Sequence, residues 1–98
     1  MGRYDKGVYG VKIKEGFFLH EMGNDNVVIT AGDAAEIFTG MLRLNDTGVF
    51  LWKLLENNPT LDYIIDAFVD EYDVDRETAK EDVLKYIDIL RSVGGLEE

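Results

Sequence analysis

An α+β fold, with three strands feeding three helices, follows from three features of the sequence. Residues 17–30 hold two runs rich in aromatic and β-branched side chains, Phe17-Phe18-Leu19-His20-Glu21-Met22 and Val27-Val28-Ile29-Thr30, parted by the turn-forming cluster Gly23-Asn24-Asp25-Asn26. Asn45, Thr60 and Asp75, all of types that cap helices, each precede a run with helical apolar spacing. The strand-like runs come first and the helix-like runs last, so no strand–helix–strand alternation points to a parallel sheet.

Taken in order, residues 1–12 mix glycine with scattered charge and are expected to form a loose leader with at most a short extension of the sheet, leaving residues 13–96 as the folded domain. The runs at 17–22 and 27–30 make an antiparallel hairpin. Residues 31–39 admit either a loop or one helical turn capped by Asp33. A third strand spans 40–44, with Leu42 and Leu44 on one face and Met41 and Arg43 on the other. Asn45 then caps a first helix whose Phe50, Leu51, Trp52, Leu54 and Leu55 cover most of its circumference, which places that helix at the centre of the core. Asn57-Asn58-Pro59 stops it. Thr60 caps a second helix over 61 to about 72, with Leu61, Ile64, Ile65, Phe68, Val69 and Tyr72 on one stripe. Asp75 caps a third, from 76 to about 93, which buries Ala79, Val83, Tyr86, Ile87, Leu90 and Val93 and ends at Gly94-Gly95.

Composition narrows the function classes. Ninety-eight residues, 46% hydrophobic and 11% aromatic, suffice for one domain with one core. The absence of cysteine excludes a disulfide framework, a thiolate metal site and a cysteine nucleophile. No secretory signal pattern and no run long enough to span a bilayer occur, which points to the cytoplasm. A formal charge of −10 repels phosphate backbones and anionic lipid, so neither nucleic acid nor membrane is an expected partner.

No catalytic constellation stands out. His20 is the sole histidine and has no partner at metal-ligand spacing, so it reads as structural. Asp62, Asp66 and Asp70 lie along the wet side of an amphipathic helix, where carboxylates are solvated rather than paired for acid–base work. Gly16, Gly23 and Gly32 match no phosphate-binding loop, and no cofactor is expected. On the third helix Lys80, Leu84, Ile87 and Arg91 recur at three or four residues beside the core stripe. On pattern alone the simpler reading is that the cations pair with nearby acids and Leu84 is an ordinary exposed leucine.

The ordered set Gly40-Met41, Leu44-Asn45, Thr47-Gly48, Phe50, Trp52 and Leu54-Leu55, then Glu71-Tyr72-Asp73-Val74-Asp75, then Ala79, Asp82-Val83 and Leu90, resembles the PqqD family, the RiPP recognition elements. The resemblance covers roughly residues 14–96. It implies a winged helix-turn-helix-like fold and a non-catalytic role: holding the leader of a ribosomally made precursor peptide and presenting it to a modifying enzyme, often a radical SAM maturase, in pyrroloquinoline quinone (PQQ) or other RiPP biosynthesis. In that family the leader adds as a strand to the open edge of the third strand and fills pockets against the third helix. Carried over, the edge is Gly40, Met41, Leu42 and Arg43 and the opposite wall is Lys80, Leu84, Ile87 and Arg91. Arg43 either reads an acidic leader residue or blunts the edge against aggregation. The same edge could pair with its own copy, giving a homodimer. The alternative, a winged-helix DNA-binding regulator, requires a basic recognition helix, whereas the third helix intersperses Glu77, Glu81, Asp82 and Asp88 with its lysines.

Overall fold

The structure, a computed structural model, describes residues 10–97. The expected loose leader therefore lies, for residues 1–9, outside the described residues. Its last residues are tied down. Gly10 forms a β-bridge with Thr60, the Val11 amide donates to the Pro59 carbonyl at 2.8 Å, and Lys12 opens the first strand, β1 (Lys12–Ile13). That strand extends no larger sheet; it pairs antiparallel with a C-terminal strand, β5 (Leu96–Glu97). Neither strand is long enough to carry a period of two, so no sequence pattern announces this ribbon. It matters for packing nonetheless, because Leu96 is buried in the core.

The main sheet has three strands in the order β2 (Phe17–Met22), β3 (Asp25–Thr30) and β4 (Leu42–Leu44), all antiparallel. The β2–β3 loop is shorter than the four-residue cluster predicts. Met22 pairs with Asp25, so only Gly23 and Asn24 make the turn, and Gly23 takes the positive φ (60°) that such a turn favours. Residues 31–39 contain a short 3-10 helix, Gly32–Glu36, with Asp33 inside its first turn rather than capping it.

The three caps form as the sequence predicts. Asn45 accepts from the Gly48 amide at the start of α1 (Asp46–Leu55), Thr60 from Tyr63 at the start of α2 (Leu61–Tyr72), and Asp75 from Thr78 at the start of α3 (Arg76–Ser92). The Thr78 backbone amide, 2.7 Å from the Asp75 carboxylate, holds its pKa below the usual value, with the Thr78 hydroxyl as the second cause. α2 closes on Asp73 in the left-handed conformation, and Arg76 pairs with Asp62 and Asp66 to tie α3 to α2.

Register divides the sheet into two faces. Phe17, Leu19, Val28, Leu42 and Leu44 point one way and pack with Trp52, Leu55, Ile64, Val83 and Leu90 in a single core. Phe18, His20, Met22, Asp25, Val27, Ile29 and Arg43 share the other face, where Val27 is buried apart from that core. Trp52, 1% exposed, is the largest of the fully buried side chains. Trp52→Ala is expected to cost about 3–5 kcal/mol in a denaturant melt, against about 1 kcal/mol for loss of the cap in Asn45→Ala.

Candidate functional site

The site begins at the junction where β4 runs into α1. β4 is paired with β3 on one side, through Leu42–Val28, Arg43–Val27 and Leu44–Asn26, and among the described residues no strand pairs with its other side. A cap one residue beyond the strand turns the chain into α1: Asn45 Oδ1 accepts from the Gly48 amide at 2.8 Å. Gly48 is also where α3 is fastened, because the Tyr86 hydroxyl donates to its carbonyl at 2.8 Å. A Cβ at Gly48 would come 3.1 Å from Leu44 Cβ, tighter than side chains ordinarily approach, so glycine lets strand and helix close up here.

Alongside β4 this arrangement leaves a cleft of about 810 Å³. Leu42, Arg43 and Leu44 form one wall, with Asp25 and Asn26 of β3 behind them. Asp82, Lys85, Tyr86 and Ile89 of α3 form the other, and Leu51, Phe68, Tyr72 and Val74 line it as well. Eight of the lining side chains are aliphatic or aromatic, and Ile89 is 50% exposed among them. The charged groups are few: Arg43 pairs with Asp25 at 2.9 Å, while Asp82 and Lys85 stand on α3. Burial pushes the Tyr86 phenol well above its ordinary value.

Of the residues expected at the site, Leu42 and Arg43 line the cleft. Gly40 and Met41 lead into the strand just outside it, with Met41 64% exposed. Ile87 is buried in the core, 5% exposed, and Lys80, Leu84 and Arg91 are not among the residues lining the cleft. At about 100° per residue, Asp82, Lys85, Tyr86 and Ile89 occupy one flank of the buried stripe Ala79-Val83-Ile87-Leu90, and Lys80, Leu84 and Arg91 occupy the opposite flank. The periodicity of α3 marks both flanks as borders of the core; which one turns towards β4 is set by packing against α1 and the sheet. The signal available was Ile89, an exposed branched apolar residue one turn from Lys85. Among the described residues no group of His, Asp and Glu side chains is arranged to hold a metal ion.

These features define a class: a small α+β domain with three antiparallel strands, three helices, and one strand edge open beside its last helix. The profile of the family described as coenzyme PQQ synthesis protein D (PqqD) matches residues 26–96, and the chain belongs to that family. Two solved structures are similar over almost the whole chain. TbiB1 in complex with the TbiA(beta) leader peptide is 26% identical, with a TM-score of 0.73 over 88% of this chain and 94% of that one. Lasso peptide synthetase B1 complexed with the leader peptide shares the fold at 17% identity, with a TM-score of 0.74 over 91% and 99% of the two chains. Among curated proteins no sequence matches.

The Tyr86–Gly48 bond is directly testable. Tyr86→Phe removes one partly buried hydrogen bond and is expected to cost about 0.5–1.5 kcal/mol. It also predicts a pH signature. A tyrosine in the unfolded chain ionises near about pH 10, whereas folded Tyr86 keeps its proton longer, so the unfolded state sheds protons first and stability falls as pH rises above about 10. Denaturant midpoints measured from neutral to alkaline pH should show a shallower alkaline decline in Tyr86→Phe than in the wild type.

Proposed function

We propose that this protein is a RiPP recognition element that binds the leader segment of a ribosomally made precursor peptide and presents it to a modifying enzyme. The observation that carries the reading is the open edge of β4 with an apolar cleft running beside it. Membership of the PqqD family supports it, as do the two structural neighbours, both of which are described with leader peptides bound. An extended leader would pair its main chain with the free N–H and C=O groups of residues 40–43 and set alternate side chains into the cleft.

Magnitudes indicate how the work divides. A three-residue edge offers only about two to four outward hydrogen bonds, each worth about 1 kcal/mol net, whereas micromolar affinity requires about 8 kcal/mol. The difference must come from apolar side chains, at about 1.5–3 kcal/mol for each one fully buried. In this reading Leu42, Tyr86 and Ile89 supply affinity and the strand edge supplies alignment. The role is one of holding and presenting, without catalysis, in the cytoplasm. The modifying enzyme would be a maturase such as a radical SAM protein, in PQQ or another RiPP pathway. A winged-helix DNA regulator has no support: the cleft wall of α3 carries Asp82 beside Lys85, and the chain has a formal charge of −10.

Fluorescence-anisotropy titration with labelled leader peptides encoded near this gene tests the reading. Ile89→Asp should weaken binding about tenfold or more, because it sets an unpaired charge in the apolar wall. Met41→Pro should weaken it too, by restricting the chain as it enters the edge and deleting an amide. Leu84→Asp, on the opposite flank, should leave affinity unchanged. Loss of binding in Leu84→Asp but not in Ile89→Asp would move the peptide to the other side of α3.

A further inference from the structure

Four charged residues line the cleft, and they are not equivalent. Arg43 and Asp25 neutralise each other across the strands at 2.9 Å on the outer face of the sheet, so an acidic group brought to that face meets attraction and repulsion of similar size. On α3, among the described residues, neither Lys85 nor Asp82 enters an ion pair. Reach separates these two. The lysine stem can lie along the apolar lining and carry its ammonium group across to an added strand, whereas the Asp82 carboxylate stays close to its helix, fully hydrated.

From this we infer that Lys85 selects the bound segment by charge, requiring an acidic side chain two positions from an apolar one. The inference rests on the strand-addition reading above. Spacing supplies the second half of the argument. Lys85 and Ile89 are four residues apart on one helix face, a rise of about 6 Å. Residues i and i+2 of an extended strand face the same side about 6.7 Å apart. A strand lying along α3 with one apolar residue against Ile89 brings its next helix-facing residue to Lys85. The residue between them faces the opposite side of the sheet, where the balanced Arg43–Asp25 pair exerts little preference. The net negative charge of the chain opposes this choice only weakly, since ionic screening at physiological salt confines charge effects to about 8 Å.

The test uses the full chain immobilised as wild type, Lys85→Glu, Arg43→Gln and Met41→Pro, each panned against a phage-displayed library of random dodecapeptides. Wild type should enrich Asp or Glu two positions from Leu, Ile, Val or Phe. Lys85→Glu should replace the acid by Lys or Arg, with synthetic wild-type consensus peptides binding it about tenfold more weakly. Arg43→Gln should keep the acidic preference. An unchanged acidic preference on Lys85→Glu, or one lost on Arg43→Gln, overturns the assignment of charge selection to Lys85 while leaving strand addition standing. A wild-type consensus without a charged position overturns it in the same way. If wild type enriches nothing, or if its consensus peptides bind Met41→Pro undiminished, strand addition at this edge fails and the assignment falls with it.

Discussion

The site is organised by one glycine and what converges on it. Gly48 gives its amide to the Asn45 cap, takes the Tyr86 hydroxyl on its carbonyl, and has no side chain to hold Leu44 away. The end of β4, the first turn of α1 and the middle of α3 therefore meet within a single turn of helix. The separation between β4 and α3, and with it the width of the cleft, follows from those contacts. Tyr86 is suited to this fastening because its ring packs against the core while its hydroxyl reaches a polar partner.

An unpaired strand edge invites aggregation, and natural sheets blunt such edges with short strands and charge. β4 does both: it is three residues long and carries Arg43 at its centre. The ion pair with Asp25 accounts for Arg43 as an edge protector, since both partners are more than half exposed and the pair is worth little to stability. Such protection is compatible with a guest strand. The guest's main chain pairs with backbone groups, while the exposed Arg43–Asp25 pair stays on the outer face of the sheet with Val27 and Ile29.

Much of this architecture was legible because the determining signals are local. Asn45, Thr60 and Asp75 each cap the helix that follows, and the β-branched run Val27-Val28-Ile29-Thr30 lies in a strand. The ribbon of β1 and β5 was not legible, because two-residue strands form through a contact between chain regions more than eighty residues apart. On the candidate site, strand alternation fixes the faces of Leu42 and Arg43, and both residues line the cleft. Lys80, Leu84 and Arg91 share a flank of α3 that does not line this cleft, and periodicity cannot tell the two flanks apart, because it identifies a buried stripe without stating what lies to its left or right. Ile87 belongs to that stripe and is buried in the core.

The central claim is that the outer edge of β4 is the place where a guest strand pairs. Amide hydrogen exchange resolved at residues 40–44, with and without a bound leader peptide, measures this directly. Pairing at the edge should slow exchange at alternate amides of this segment, those directed away from β3, while Leu84 and Arg91 keep their rates. Unchanged exchange along β4 at saturating peptide, with protection gained elsewhere, would contradict the account.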